Sequence, residues 1–136
     1  MPSLAVTVEQ VQRLLDDTPF TRDLGLRISS LADGECILDI PFQPSFERPD
    51  RIINGGVYMI AADVAMWIAI MTRLGIEKRT VTTNMQTAFL SSAVERDIRC
   101  RARVLKMGSR LIYGDAECGT PDGKRLTHHT MTYARL

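Results

Sequence analysis

The chain has 136 residues, of which 45% are apolar and 24% are charged, and its formal net charge is +1. This length fits one domain that buries its own core, and the composition is ordinary for a soluble globular protein. A net charge near zero gives no reason to expect nucleic acid or an anionic membrane as the main partner. The N-terminus lacks a basic region followed by an apolar run, so we expect no signal peptide and a cytoplasmic location.

Three cysteines are scattered along the chain without metal-ligand spacing: Cys36, Cys100 and Cys118. Their odd number and spacing predict reduced residues in or near the core rather than a disulfide framework. The sequence contains no zinc signature, no phosphate-binding loop and no nucleophilic serine elbow. We therefore predict neither a metal nor a cofactor.

The first predicted elements are a helix and a hairpin. Thr7 and Gln10 form a capping-box pattern, and the helix that they open is expected to end before Pro19. The pair Asp33-Gly34 is a strong signal for a tight turn between two strands. These strands are predicted near residues 24–31 and 36–42, and a loop without regular period is predicted at 43–54.

The central predicted element is an apolar helix that begins at Gly55-Gly56 and ends at Gly75. From Gly56 to Met71 it carries one charged side chain, Asp63. A carboxylate in a buried helix is costly unless it is hydrogen-bonded, protonated or used. Glycines at a helix start leave backbone N–H groups open to a developing negative charge. The pattern predicts an oxyanion site at the two glycines and a general base, Asp63, about two turns further along.

Everything after this helix is predicted to be strand, at residues 80–90, 97–107, 110–119 and 124–135. In the second of these strands, apolar residues alternate with arginines. A turn centred on Gly108 would bring this strand against the next one. Arg101 would then lie opposite Asp115. Arg99 would lie opposite Glu117, so we interpret the arginines as cross-strand charge partners on a solvated face.

An apolar sheet face and a helix that is apolar nearly all round can cover each other. The simplest arrangement is a strongly curved antiparallel sheet folded around the helix. Because the helix has no polar side, we also expect a second subunit to cover part of its surface or of the sheet edge. Asp63 interrupts the apolar run, which we judge shorter than the roughly 20 residues of a membrane span.

The order of two strands, a loop, a Gly-Gly helix and four strands resembles the hotdog fold. The local pattern resembles the acyl-CoA thioesterases of the phenylacetate-degradation type, whose His-Gly-Gly triplet corresponds to Asn54-Gly55-Gly56 and whose helical Asp corresponds to Asp63. The resemblance covers about residues 24–133. It implies one hotdog thioesterase domain over 1–136, an α+β fold with a curved antiparallel sheet around a long central helix and an N-terminal helix. It also implies hydrolysis of an acyl-CoA to free acid and coenzyme A, without any further cofactor.

The resemblance also implies roles for residues on the strands that follow. Thr82 falls on the position whose hydroxyl helps to hold the attacking water, and we expect the partner subunit to supply it. Phe89, at the other end of that strand, is expected to contact the substrate. The hairpin turn at Gly108, Ser109 and Arg110 resembles the turn that often contacts the nucleotide of coenzyme A.

Two residues differ from the family pattern. Asn54 replaces the usual His, and it can donate a hydrogen bond but cannot titrate near neutral pH. Arg48 stands near the position of an Asn that often polarises the thioester carbonyl. Either Arg48 or Arg51 supplies a donor to the substrate instead, or the loop follows a different path from that of the family.

Several alternatives stay open at this stage. Asp63 could activate a water or attack the thioester directly to form an anhydride. It could also be a solvated carboxylate at a helix edge, with the two glycines forming only a tight turn. A non-catalytic acyl-CoA binding or sensing module on the same fold is the first alternative function. A hotdog hydratase or dehydratase is the second, but those proteins use a His near the helix, and the first histidine here is His128.

The neighbouring histidines His128 and His129 should face opposite sides of a strand and therefore cannot share one site. The expected assembly is an obligate homodimer whose sheets join edge to edge and which pairs further into a homotetramer. Each of its active sites would take Asp63 from one chain and the Gly55-Gly56 helix start from the other.

Overall fold

One six-stranded antiparallel sheet curves around a single long helix in the computed structural model, which describes residues 3–136. The strand order across the sheet is β1-β2-β4-β5-β6-β3. This architecture is the hotdog fold that the sequence predicted. The helices are α1 (Val8–Asp17), α2 (Pro19–Arg22) and α3 (Gly55–Leu74), and the strands are β1 (Arg27–Ala32), β2 (Glu35–Ile40), β3 (Thr80–Phe89), β4 (Ile98–Met107), β5 (Leu111–Gly119) and β6 (Arg125–Arg135).

Local sequence signals set most element boundaries. The capping box of Thr7 and Gln10 is formed at the start of α1, which ends before Pro19. The β1–β2 hairpin closes over Asp33 and Gly34, and Gly34 has φ +69°. The backbone of Gly75, at φ +85°, ends α3. Both glycines occupy a backbone region that other residues seldom adopt.

Two predicted segments differ from the structure. β1 begins at Arg27, not near Leu24, because the apolar residues before it pack into the core without forming a strand; Leu26 is 3% exposed. The loop between β2 and α3 contains two short 3₁₀ turns, at Pro44–Phe46 and Pro49–Arg51. Each turn begins at a proline, whose fixed φ suits the start of a helical turn.

Helix α3 forms the centre of the core and packs mainly against β2, β4 and β5. Small residues allow this close packing, and Ala62, Ala65 and Ala69 are fully buried. The helix has 20 residues and could cross a membrane by length and composition, so the prediction that its apolar run is too short is wrong. Burial in the core accounts for its apolar composition instead, since 61% of its most apolar stretch of 18 residues is buried inside the fold.

The arginines of β4 form charge pairs, but not in the predicted register. The turn lies at Ser109 and Arg110 rather than at Gly108, which shifts the register away from the predicted one, and a bulge between Val104 and Lys106 shifts it back by one residue. Arg103 therefore lies opposite Asp115. The three pairs are Arg103–Asp115 at 2.9 Å, Arg101–Glu35 at 2.9 Å and Arg99–Asp39 at 2.7 Å. The second and third join β4 to β2, so the arginine face stabilises both neighbouring strands.

All three cysteines are free and buried, as predicted. Burial raises the pKa of the Cys36 thiol to about 12, so this side chain is a neutral core residue. Cys100 and Cys118 lie directly opposite each other on the core side of β4 and β5. Their shared hydrogen bond raises the pKa of Cys100 and lowers that of Cys118.

Strand β3 is an edge strand, because it pairs only with β6 among the strands of residues 3–136. It is ten residues long, and most of its side chains are exposed, including Val81 and Phe89. Long exposed edges offer unpaired backbone groups to another strand. This edge adjoins the two places where the predicted site residues lie.

Candidate active site

The carboxylate of Asp63 is held by two hydroxyl groups. Thr82 Oγ1 donates to Asp63 Oδ1 over 2.7 Å, and the Tyr133 hydroxyl donates to the same oxygen and to the Asp63 backbone oxygen. Thr82 and Tyr133 are register partners on β3 and β6, so the sheet places both hydroxyls together. Within residues 3–136 no protein donor contacts Asp63 Oδ2, which is therefore open to a water or a substrate.

Tyr133 is a site residue that the sequence did not predict. Its side chain is 3% exposed. Burial raises the pKa of its phenol above the ordinary value, and the neighbouring Asp63 raises it further. The phenol therefore stays protonated and donates to the carboxylate. Seventy residues separate the two partners, and only the β3–β6 register brings them together.

Asp63 opens onto a cleft of about 480 Å³. Its walls come from α2, α3, β3 and β6 and combine threonine side chains with larger apolar ones. The apolar side chains are Phe20, Val64, Trp67 and Val81. Phe20 is 68% exposed on α2, at the mouth of this cleft. A carboxylate with one free oxygen beside a partly apolar cleft can activate a water for attack on an acyl compound.

The two glycines at the start of α3 differ in the state of their N–H groups. Asn54 Oδ1 accepts the Gly56 N–H over 2.8 Å, so Asn54 is the N-cap of α3 and the Gly56 N–H is occupied. The Gly55 N–H has no hydrogen-bond partner in residues 3–136. Only the Gly55 N–H is therefore open to an oxyanion, whereas the sequence predicted that both would be.

Gly55 lines a separate cleft of about 280 Å³, together with Arg48, Tyr58, Phe89 and the segment 90–92. The Phe89 ring lies so close that a Cβ added at Gly55 would come within 2.8 Å of its Cε1 atom. A side chain at this position would therefore displace the exposed Phe89 ring. Tyr58 is 2% exposed, and its hydroxyl has no partner in residues 3–136. Burial, with a smaller contribution from Cys118, raises the pKa of Tyr58 to about 12.

A third cleft, of about 340 Å³, lies beside Asn54 and Gly56 and contains the half-buried Glu47. The clefts of Asp63, Gly55 and Gly56 share no lining residue. Asp63 and Gly55 are eight residues apart, or about 12 Å along the helix axis. Within one chain, the predicted base and the predicted oxyanion donor therefore face different clefts.

Thr82 contacts Asp63 of its own chain. If a partner subunit supplies Thr82 to a site, it supplies Asp63 with it. Among the other predicted substrate contacts, Arg51 is already engaged, since its guanidinium forms an ion pair with Glu95. Arg48 is exposed at the Gly55 cleft.

The predicted nucleotide contacts form the exposed turn between β4 and β5, and the Gly108 carbonyl accepts Arg135 Nη1 over 3.1 Å. This turn lies at the end of the sheet that carries Thr82 and Tyr133, because Ile112 is the register partner of Tyr133.

The two histidines face opposite sides of β6, as predicted. His129 is fully buried between the hydroxyls of Thr87 and Thr127, at 2.8 and 2.7 Å. His128 contacts Asp115 on the outer face, at 3.3 Å. Neither lines one of the three clefts described above.

This fold, with a carboxylate held at an open cleft, defines a hotdog protein with a site suited to hydrolysis. Residues 51–126, more than half of the chain, match the thioesterase superfamily, and the chain belongs to that superfamily.

A proposed esterase of Saccharolobus solfataricus is 27% identical over 101 residues, which are 74% of this chain and 71% of that protein. The structure of a proposed thioesterase from Silicibacter sp. TM1040 is 26% identical with a TM-score of 0.88, over 98% of this chain and 94% of that one. A hypothetical thioesterase of Streptococcus pneumoniae, solved with coenzyme A, shares the fold with a TM-score of 0.74 and 13% identity, over 82% of this chain and 86% of that one. The superfamily and the first two relatives support thioester hydrolysis as the general activity.

Proposed function

We propose that this chain hydrolyses an acyl-CoA thioester to a free acid and coenzyme A, with Asp63 as general base or nucleophile. The observation that carries the proposal is the Asp63 carboxylate, oriented by Thr82 and Tyr133 with one oxygen free at a partly apolar cleft. Membership of the thioesterase superfamily supports the reaction class. The Streptococcus pneumoniae structure that contains coenzyme A supports coenzyme A as the thiol part of the proposed substrate.

The chemistry follows from the positions of these groups. In the general-base route, Asp63 Oδ2 takes a proton from water, and the water oxygen forms a bond to the thioester carbon. The carbonyl electron pair moves onto oxygen, where the Gly55 N–H can stabilise the negative charge. When the carbonyl re-forms, the carbon–sulfur bond breaks, and the proton held by Asp63 neutralises the leaving thiolate. In the nucleophilic route, Asp63 attacks the carbon itself and water then hydrolyses the anhydride.

The proposed site is composite, and each chain of a homodimer supplies half of it. Asp63 and Thr82 would come from one chain, and Gly55 from the other. Two observations support this: the two groups face separate clefts in one chain, and β3 leaves a ten-residue edge open beside both. Two such dimers would pair further into a homotetramer.

The more specific proposals concern the two ends of the substrate. The turn at Gly108, Ser109 and Arg110 is exposed at the end of the sheet near Asp63, which supports a role in nucleotide binding. A substrate of the phenylacetate-degradation type would carry an aromatic acyl group. The aromatic walls of the Asp63 cleft, Phe20 and Trp67, are compatible with that class.

The test is turnover of a panel of short, medium and aromatic acyl-CoA thioesters, followed by release of free thiol. Asp63→Asn keeps an oxygen that can accept from Thr82 and Tyr133 but removes the base, so kcat should fall at least about 100-fold while the melting temperature is kept. Asp17→Asn is the matched control, because Asp17 is exposed at the end of α1. It should leave kcat unchanged.

The outcomes separate the proposed function from its alternatives. Near-native turnover by a folded Asp63→Asn variant would exclude Asp63 as the catalytic carboxylate. Tight acyl-CoA binding by the wild-type protein without any thiol release would instead favour the non-catalytic binding module.

A further inference from the structure

The Tyr58 hydroxyl is a buried hydrogen-bond donor without an acceptor in residues 3–136. Its side chain is almost fully buried, so bulk water does not satisfy it. Most buried polar groups in native proteins are paired, because an unpaired one is destabilising. The chain therefore carries an unfavourable group that a bound molecule could satisfy.

Tyr58 lies on the same side of α3 as Gly55, three residues further along. Both residues line the cleft of about 280 Å³, and the Phe89 ring covers Gly55 from β3. Two unpaired donors, the Gly55 N–H and the Tyr58 hydroxyl, thus lie at one end of one helix.

The other polar side chains of this cleft can also donate hydrogen bonds. Arg48, Ser91 and Ser92 contribute a guanidinium and two hydroxyls, and no carboxylate is among the described lining residues. Burial keeps the pKa of Tyr58 near 12, so the phenol holds its proton at neutral pH. A cleft of this composition fits an oxygen acceptor, and it fits one that gains negative charge even better.

We infer that the Tyr58 hydroxyl donates a hydrogen bond to the carbonyl oxygen of the bound thioester, beside the Gly55 N–H. This inference rests on the proposed function. During attack at the thioester carbon, the carbonyl electron pair moves onto this oxygen and returns when the carbon–sulfur bond breaks. Tyr58 keeps its proton throughout. Because the oxygen is more negative in the transition state than in the substrate, the contact affects kcat more than KM.

The experiment compares Tyr58→Phe with wild type on every thioester that the wild-type protein hydrolyses. Tyr58→Phe removes one oxygen and keeps the ring. We expect kcat to fall about 10- to 100-fold for all acyl groups, with KM within about threefold. The melting temperature should stay the same or rise by a few degrees, since the variant loses an unpaired buried hydroxyl. Tyr113→Phe, on a half-exposed tyrosine of β5, is the control and should change neither quantity.

A second measurement tests the contact itself. An acyl-CoA analogue in which a methylene replaces the thioester sulfur cannot be hydrolysed, and it keeps the carbonyl as a ketone. In a crystal structure with this analogue, Tyr58 Oη should lie within about 3.2 Å of the ketone oxygen. A Tyr58 hydroxyl paired instead with an ordered water or a partner subunit would overturn the inference.

The kinetic outcomes distinguish the two proposals. Active wild-type protein with an unchanged kcat in Tyr58→Phe overturns the role of Tyr58 alone. If Tyr58→Phe lowers both kcat and the melting temperature, the role of Tyr58 is also overturned, because the residue would then stabilise the fold rather than the transition state. Wild-type protein that hydrolyses none of the thioesters overturns the proposed function, and this inference with it.

Discussion

Asn54 stabilises the first turn of α3 by accepting the Gly56 N–H, and the open Gly55 N–H lies in that turn. Asn54→Ala should remove the cap and lower the free energy of unfolding by about 1 kcal/mol. It should also reduce kcat about tenfold, because the position of the Gly55 N–H depends on this turn. Asn54→Ser is the matched control, since Ser is a good N-cap without an amide donor. Thermal unfolding and thioester turnover measure both effects.

We expect Asn54→Ser to keep both stability and most of the turnover, and Asn54→His to be tolerated. A stable Asn54→Ser variant that is as slow as Asn54→Ala would show that the amide itself contacts the substrate. Unchanged turnover in Asn54→Ala would leave Asn54 as a helix cap alone. These outcomes separate positioning of the helix start from direct contact with the carbonyl.

The strands carry a second testable feature, the ion pairs on the outer face of β4 and β5. Burial by itself would raise the pKa of Asp115, but hydrogen bonds from Arg103 and His128 outweigh it and hold the pKa below its ordinary value. Because the pKa of Asp115 is lower in the folded than in the unfolded protein, ionisation of Asp115 stabilises the fold. This stabilisation is complete above the pKa of an aspartate in the unfolded chain, about 3.9, and is lost as the pH falls through the lower folded-state pKa. Asp115→Asn should therefore lower the free energy of unfolding by about 1 kcal/mol at pH 7.

Urea unfolding at several pH values measures this dependence. The difference between wild type and Asp115→Asn should shrink as the pH falls below about 3.9. Asp17→Asn is again the control and should show no comparable difference at pH 7. A penalty for Asp115→Asn that stays constant down to pH 2 would mean that ionisation of Asp115 does not stabilise the fold.

At the scale of elements, the sequence predicted those parts of the fold that depend on local signals. The capping box, the Asp33-Gly34 turn and the end of α3 at Gly75 are formed as expected. The predicted β4–β5 register is wrong, because the turn lies at Ser109 and Arg110 instead of at Gly108, and the bulge between Val104 and Lys106 offsets only part of that shift. β1 was placed too early, because an apolar coil before a strand has the same composition as a strand.

In the candidate site, too, the sequence predicted the residues that local signals mark and missed those that long-range contacts decide. Asp63 and the glycines stand out because a charge in an apolar helix and two adjacent glycines are visible in one short segment. Tyr133 and Tyr58 do not stand out, because burial and long-range pairing decide their roles. The occupied Gly56 N–H could have been anticipated, since an Asn before a helix commonly accepts an N–H of the first turn.

The whole molecule presents the base and the oxyanion donor on separate clefts, and the proposed homodimer explains why. A heterodimer of Asp63→Asn and Gly55→Val chains contains one site with both groups intact. After random exchange of equal amounts, half of the dimers are mixed and each has one intact site of two, so activity should reach about a quarter of wild type. Each variant alone should be inactive. Subunit exchange followed by the thioester assay measures the recovery.

Two controls make this complementation specific. Asp63→Asn chains mixed with the double variant Asp63→Asn/Gly55→Val contain no intact Asp63, so they should stay inactive. Because a Cβ at Gly55 would crowd the Phe89 ring, Gly55→Ala provides a second, smaller block if Gly55→Val unfolds. Mixtures of folded, exchanging variants that recover no activity would place both groups in one chain. A monomer by light scattering that still hydrolyses thioesters would exclude the composite site altogether, because one chain would then bring Asp63 and Gly55 to the same carbonyl.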